Sequence, residues 1–158
     1  MEKLNFPKHN LQIKSIENKN YIFEPIRKKC LLCTPEEWVR INCINYIIHT
    51  KGYPPSLISV EHQIDIYGLK KRFDLLVHNI NLSPYILIEC KSTSVKINQK
   101  TFDQIIQYNL KLKCPYLMVT NGLNHYVCNV NQNEKKIEFV DSVPSYSKVK
   151  WNELQLFF

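Results

Sequence analysis

Residues 72–92 read RFDLLVHNINLSPYILIECKS, and the two apolar runs inside this stretch decide the fold. Arg72–His78 and Tyr85–Ser92 are rich in the branched and aromatic side chains that suit strands, and Asn79–Pro84 between them is made of turn residues. The stretch therefore predicts a hairpin. If His78 pairs with Tyr85, every pair further from the turn keeps the same sum of residue numbers. Asp74 then lies opposite Glu89, and Arg72 opposite Lys91. Directly opposed residues have Cβ atoms about 5 Å apart, and like charges at that spacing repel. A divalent cation is the simplest compensator, because Mg²⁺ takes oxygen ligands and is commonly held by one or two carboxylates. Side chains alternate along a strand, so Glu89 and Lys91 share a face while Cys90 points away, into packing under a helix. Lys91 is thus placed to orient or deprotonate a water, or to balance charge on a phosphate.

Working outward, Thr34-Pro35-Glu36-Glu37 combines an N-cap, a proline at the first helical position and a capping-box glutamate. Trp38, Ile41, Ile44 and Ile48 follow at helical spacing and Gly52 marks the stop, which predicts a helix over 35–50. Pro54-Pro55 separate it from a strand over Leu57–Tyr67, and Gly68 makes a turn. After the hairpin, Phe102, Ile105, Ile106 and Leu110 place a second helix within Lys96–Lys113, ended by Cys114-Pro115. Tyr116–Thr120, His125–Val130 and Lys136–Val140 read as strands, with a turn begun by Asn121-Gly122. The order α-β-β-β-α-β-β implies an α/β sheet covered on both faces. Residues 1–33 read as a partly ordered N-terminal arm and 34–130 as the core. Residues 131–158 read as a strand and an apolar tail (Trp151, Leu154, Leu156, Phe157, Phe158) that packs on the core.

The 158 residues suit one domain, and their formal charge of +7 suits a polyanionic partner. No apolar run approaches the length of a membrane span, and Met1–Asn10 lacks the apolar centre of a signal peptide, so the expected location is the cytoplasm. Six cysteines are then expected as reduced thiols. Cys30 and Cys33 have the spacing of half a zinc site, but no second pair completes it, and buried thiols are the expectation. His9, His49, His62, His78 and His125 are scattered and read as ordinary residues.

A bare E-x-K triplet carries little, since Glu17-Asn18-Lys19 and Glu134-Lys135-Lys136 have the same form. Glu89-Cys90-Lys91 differs because it ends an apolar run and follows a strand that carries Asp74. The ordinary alternative is a salt-bridged strand end. The flanking stretches weigh against it: TPEEWVRINCINYIIHTKGYP (34–54), RFDLLV (72–77), ILIECKS (86–92), FDQIIQYN (102–109) and PYLMVTNG (115–122). In order and spacing, these resemble the PD-(D/E)XK nuclease superfamily, and within it the N-terminal nuclease domain of type I restriction enzyme R subunits.

That resemblance implies a three-layer α-β-α, restriction-endonuclease-like fold with a central mixed sheet. It implies that Asp74 and Glu89 are ligands for Mg²⁺ or Mn²⁺ and that Lys91 is the catalytic lysine. An acid from the first helix usually joins such sites. Glu36 and Glu37 are both candidates, with Glu37 preferred because it shares a face with Ile41, Ile44 and Ile48; either is otherwise a helix-start cap. Gln104 and Tyr108 match a Q-x-x-x-Y motif on one helix face, with Gln104 organising the site and Tyr108 near DNA. Arg72 is a candidate for phosphate contact. Phe73 stands where the motif name has proline. No phosphate-binding loop of the G-x-x-x-x-G-K type is present in these residues, so no nucleotide cofactor or ATP motor is carried over. The resulting expectation is a metal-dependent endonuclease acting on DNA, with a homodimer or other restriction-system subunits as partners and no membrane role. The alternative is a non-cutting DNA-binding or protein-interaction module on the same fold.

Overall fold

The computed structural model describes residues 1–147. At its centre is a six-stranded mixed sheet. In spatial order its strands are β11 (Lys136–Val140), β10 (His125–Asn131), β9 (Tyr116–Thr120), β8 (Pro84–Cys90), β7 (Leu75–His78) and β4 (Ile58–Val60). Only the β8–β9 pairing is parallel, because helix α2 (Gln99–Leu112) crosses between these two strands; the other neighbours are antiparallel.

Alternation along the strands divides the core in two. Leu75, Val77, Ile86, Ile88, Cys90 and Met118 pack with Ile41 and Ile44 of α1 (Pro35–Asn45). Leu76, Leu87, Leu117 and Val119 pack on the other face with Ile105 and Tyr108 of α2. The result is three layers, α-β-α. β8 is central and covered on both sides, which is why its sequence is continuously apolar rather than alternating. Burying each of Ile86, Leu87 and Ile88 completely contributes roughly 1.5–3 kcal/mol.

The first helix starts where the sequence predicts. Thr34 accepts the Glu37 N–H on its hydroxyl at 3.2 Å, and Pro35 opens the helix. Its last turn, Tyr46–Thr50, widens to π spacing before Gly52 stops it at a φ of +79°. The capping box does not form, because the Glu37 carboxylate bonds Arg40 instead of returning to Thr34. In α2, Asn98 is the N-cap, and the Asn109 side chain brackets Cys114 with two bonds of 2.7 and 3.0 Å at the helix end.

Three elements differ from the sequence reading. The stretch expected as an arm carries an antiparallel meander of β1 (Ile13–Ile16), β2 (Lys19–Glu24) and β3 (Lys29–Leu32), with Leu4 and Phe6 buried in the core. The expected strand Leu57–Tyr67 is broken. Glu61 takes a left-handed backbone at φ +50°, which separates β4 from β5 (Gln63–Ile66). The expected strand Arg72–His78 is broken at Phe73-Asp74, which separates β6 (Leu69–Arg72) from β7. Among the described residues, β5 and β6 pair only with each other and leave the sheet as a two-stranded ribbon. The apolar tail Trp151–Phe158 lies outside the described residues. Among the described residues, no helix is long and apolar enough to cross a membrane.

Candidate active site

The hairpin register is the expected one where it matters. Leu75 pairs with Ile88, Leu76 with Leu87 and Val77 with Ile86. The pairing assumed nearest the turn does not occur, because a bulge after Val77 places His78 opposite Pro84. Continuing the ladder outward by one step sets Asp74 against Glu89. Asp74 sits just beyond the last paired residue, where its Oδ2 accepts the Cys90 N–H at 2.7 Å. That bond ties the bend in one strand to the end of the next.

Glu89 is only 4% exposed, and its Oε1 accepts from Lys91 Nζ at 2.7 Å and from Gln104 Nε2 at 2.8 Å. Gln104 also bonds the Tyr108 hydroxyl at 3.0 Å. The face-sharing of Gln104 and Tyr108 thus converges on Glu89, with α2 supplying both residues. Both donors fall on Oε1, so Oε2 is the Glu89 oxygen left open to a cation.

Arg72 does not lie opposite Lys91. It ends β6, pairs across the ribbon with Gln63, and its guanidinium lies 3.3 Å from Glu61. The break at Phe73-Asp74 removes it from the main sheet. Lys91 instead continues β8 beside β9, with its N–H on the Thr120 carbonyl at 2.8 Å.

From α1, Glu37 reaches neither Asp74 nor Glu89. Its Oε1 bonds Arg40, and its buried Oε2 has no hydrogen-bond partner among the described residues. Glu36 is exposed, yet its charge acts on Asp74, Glu89 and Lys91. Sequence reasoning missed Arg40. The residue is 3% exposed, and its guanidinium bonds Glu37, lies 2.9 Å from Glu61 Oε1 and 3.7 Å from Asp74 Oδ1. The available signal was a cation three and four residues after the two glutamates, inside an apolar run. Glu61 was missed as well. It holds Arg40, Arg72 and Arg27, the last at 2.6 Å, and Arg27 in turn pairs with the fully buried Glu24.

These surroundings set the charge states. Burial, then the facing Glu89 charge, push the Asp74 carboxyl up to about 7, against the Cys90 N–H and Arg40, which pull it down. Burial also raises Glu89, against the bond from Lys91. Burial works to lower the Lys91 ammonium, but the Glu89 bond and the charges of Glu89, Asp74 and Glu36 outweigh it and raise the group. Lys91 therefore stays protonated near neutral pH, which suits orienting a water and balancing phosphate charge better than removing a proton. Two facing carboxyls, both raised, with one oxygen unclaimed fit a cation held by two protein ligands with water and phosphate completing the shell. Among the described residues, no three or more His, Cys, Asp or Glu side chains converge into a ready-made metal cage.

The remaining sequence candidates lie elsewhere. Cys30 is exposed and Cys33 half-buried, so the burial expected of this pair does not hold, whereas Cys43, Cys90, Cys114 and Cys128 are buried. Cys30 is exposed because it falls on the short β3 strand of the meander, outside the main core. His9 lies against His49 with ring centres 5.4 Å apart, and His125 packs on Phe6 at 4.4 Å.

Residues 35–144 match the family model of the type I restriction enzyme R protein N terminus (HSDR_N). Among solved structures, a chain described as a fragment of the HsdR subunit of a type I restriction enzyme from Vibrio vulnificus YJ016 is similar. The two are 15% identical with a TM-score of 0.49, over 71% of this chain and 24% of that one. The present chain thus spans about a quarter of that fragment's length. No curated protein matches. Since the family match takes in well over half of the chain, from the first helix through the last strand of the sheet, this protein belongs to the type I restriction enzyme R protein N-terminus family.

Proposed function

We propose that this chain is a metal-dependent deoxyribonuclease that hydrolyses phosphodiester bonds at the end of the β7–β8 hairpin. The observation that carries the reading is a carboxylate pair, the half-buried Asp74 and the buried Glu89, beside a lysine held protonated and a glutamine that fixes one carboxylate. An ordinary salt-bridged strand end would not set two raised carboxyls against each other, one of them lifted by the charge of its neighbour.

Asp74 and Glu89 would hold Mg²⁺ or Mn²⁺, which when bound supplies Lewis-acid charge to the scissile phosphate and acidifies a water. The residues of the chain do the rest. The Cys90 N–H fixes Asp74 Oδ2, and Gln104 and Lys91 fix Glu89 Oε1, so both carboxylates are oriented in advance. Lys91 Nζ keeps its proton and orients the attacking water while offsetting charge that builds on the phosphate. Glu36 is the acid of the first helix that acts on the site by charge, and Glu37 acts through Arg40. Tyr108 holds Gln104 in place.

The test is cleavage of supercoiled plasmid with Mg²⁺ or Mn²⁺, comparing the wild type, the wild type with chelator, and Lys91→Ala. Cutting that needs metal and disappears in the variant supports the proposal. Cutting that survives Lys91→Ala puts the site elsewhere. Absence of cutting with DNA binding intact in chelator favours the non-cutting module.

A further inference from the structure

The β5–β6 ribbon leaves the sheet with its root at the site. β5 ends β4's path at Glu61-His62, and β6 leads through Phe73 into Asp74. Four residues per strand give it a reach of about 13 Å. Its turn is Tyr67-Gly68, both at positive φ, +52° and +79°. Such two-residue turns favour Asn-Gly or Gly-Gly, because a bulky side chain at positive φ is strained. Here the strained position holds a tyrosine that is 92% exposed, followed by Leu69 at 62%. No packing among the described residues accounts for an aromatic ring in that place.

Charge on the ribbon is one-sided. Lys70, Lys71 and Arg72 follow one another on β6. Lys111 and Lys113, at the end of α2, line a groove with Tyr67 beside the ribbon, and Lys111 bonds the Asp65 carbonyl. The acid on the ribbon is Asp65, whose Oδ1 accepts the Gly68 N–H at 2.9 Å.

We infer that the β5–β6 ribbon is a DNA-binding element that enters the major groove of a duplex, Tyr67 and Leu69 leading and Lys70 and Lys71 on the phosphates, with the backbone to be cut at its root. The major groove of B-form DNA is about 12 Å wide and admits a two-stranded ribbon. An exposed ring and leucine at the tip suit apolar contact with base edges, and flanking lysines suit the strands on either side. A-form RNA has a major groove too narrow for such an element, so duplex DNA is the partner. The inference rests on the reading of this chain as one that acts on DNA.

The experiment measures binding of the full chain to a labelled DNA duplex, with chelator present so that no cutting intervenes. The proteins are wild type, Tyr67→Ala and Lys70→Ala/Lys71→Ala, each checked for an unchanged melting temperature, and each is titrated over a range of salt. The double variant is expected to lose affinity on the order of tenfold, and its log K against log salt slope to shrink by about 2. Tyr67→Ala is expected to weaken duplex DNA binding severalfold with the slope unchanged. RNA duplex binding is expected to be weaker and insensitive to Tyr67→Ala. Folded variants that bind DNA as the wild type does, or an equal loss on RNA duplex, overturn the ribbon. A wild type that still cuts plasmid in that case leaves the nuclease reading standing. A ribbon that binds as expected in a chain that never cuts sinks the nuclease reading alone.

Discussion

Glu61 donates its backbone N–H to the Asp74 carbonyl at 2.9 Å, and its carboxylate lies 2.9 Å from the Arg40 guanidinium that approaches Asp74 Oδ1. One residue therefore holds Asp74 by both main chain and side chain, at the point where the two strands splay. Removing its carboxylate would leave the buried Arg40 and the half-buried Arg27 short of a partner, and each already has a buried nitrogen with no hydrogen-bond partner among the described residues. Breaking a buried pair from one side costs about 3 to 5 kcal/mol. Glu61→Ala is expected to lose that much in urea denaturation, and Glu61→Gln, which keeps the shape, to bind Mn²⁺ more weakly even where it folds. A loss under about 1 kcal/mol would show that the arginines find water or other partners.

The raised carboxyl makes a prediction about pH. Asp74 moves from an ordinary 3.8 up to about 7. Below the lower value both folded and unfolded chains hold its proton. Between the two values the unfolded chain releases it and the folded chain keeps it, so the free energy of unfolding falls as pH rises through about 7. His125, lowered by its burial, pulls the other way in part of this range. The quantity to read is therefore the difference between wild type and Asp74→Asn. With chelator, the wild type should lose melting temperature relative to Asp74→Asn between about pH 5 and pH 7.5. Added Mg²⁺ should restore more at the upper end, because it binds the ionised pair. Glu61 runs opposite: Arg40 and Arg27 outweigh its burial and hold it at about 2, so its stabilisation is present above the ordinary 4.5 and is lost in strong acid. Parallel curves for wild type and Asp74→Asn would mean that Asp74 ionises normally.

Lys91 is held at Glu89 by a 2.7 Å bond and stays charged. Lys91→Ala should lower cleavage about 10² to 10⁴-fold while leaving the affinity for DNA within a few-fold. Because the ammonium keeps its proton, the wild-type rate should not gain a new basic limb near pH 8 from deprotonation of this group. A rate that climbs with a transition near pH 8, and loses that transition in Lys91→Arg, would instead make Lys91 a base.

Much of this was readable in the chain, for local reasons. The Leu75–Ile88 register follows from two apolar runs around a polar turn, and a bulge at His78 shifts only the pair nearest the turn. The Glu89 to Lys91 alternation and the Gln104 to Tyr108 spacing are one-element patterns, so the sequence carries them directly. What it hid depends on distant partners. The breaks at Glu61 and Phe73-Asp74 come with a carboxylate shared by Arg27 in the β2–β3 turn, Arg40 on α1 and Arg72 on β6. The choice between Glu36 and Glu37 turned on Arg40, whose partners lie on the helix and beyond it. The N-terminal meander was missed because its first turn, Glu17-Asn18, takes positive φ without glycine. Leu4 docks near Gly122, far along the chain, where a Cβ on that glycine would meet it at 2.7 Å.

Gln104 offers the sharpest separation between orienting a ligand and being one. Its amide gives hydrogen bonds to Glu89 Oε1 and to the Tyr108 hydroxyl, while its own side chain lies on α2 and not on the hairpin. Gln104→Ala leaves Glu89 with Lys91 as its side-chain donor, so the carboxylate gains freedom to turn. Loss of such an orienting partner typically costs a metal site 10- to 100-fold in affinity. Mn²⁺ binding should weaken by about that factor, and raising the metal concentration should recover most of the cleavage rate. Tyr108→Phe removes one step further out, a single neutral bond of about 1 kcal/mol, and should cost the metal site less than Gln104→Ala does. Glu89→Gln, by contrast, should not be rescued by metal at any concentration. If excess metal fails to rescue Gln104→Ala as well, Gln104 contacts the substrate itself and its bond to Glu89 is incidental.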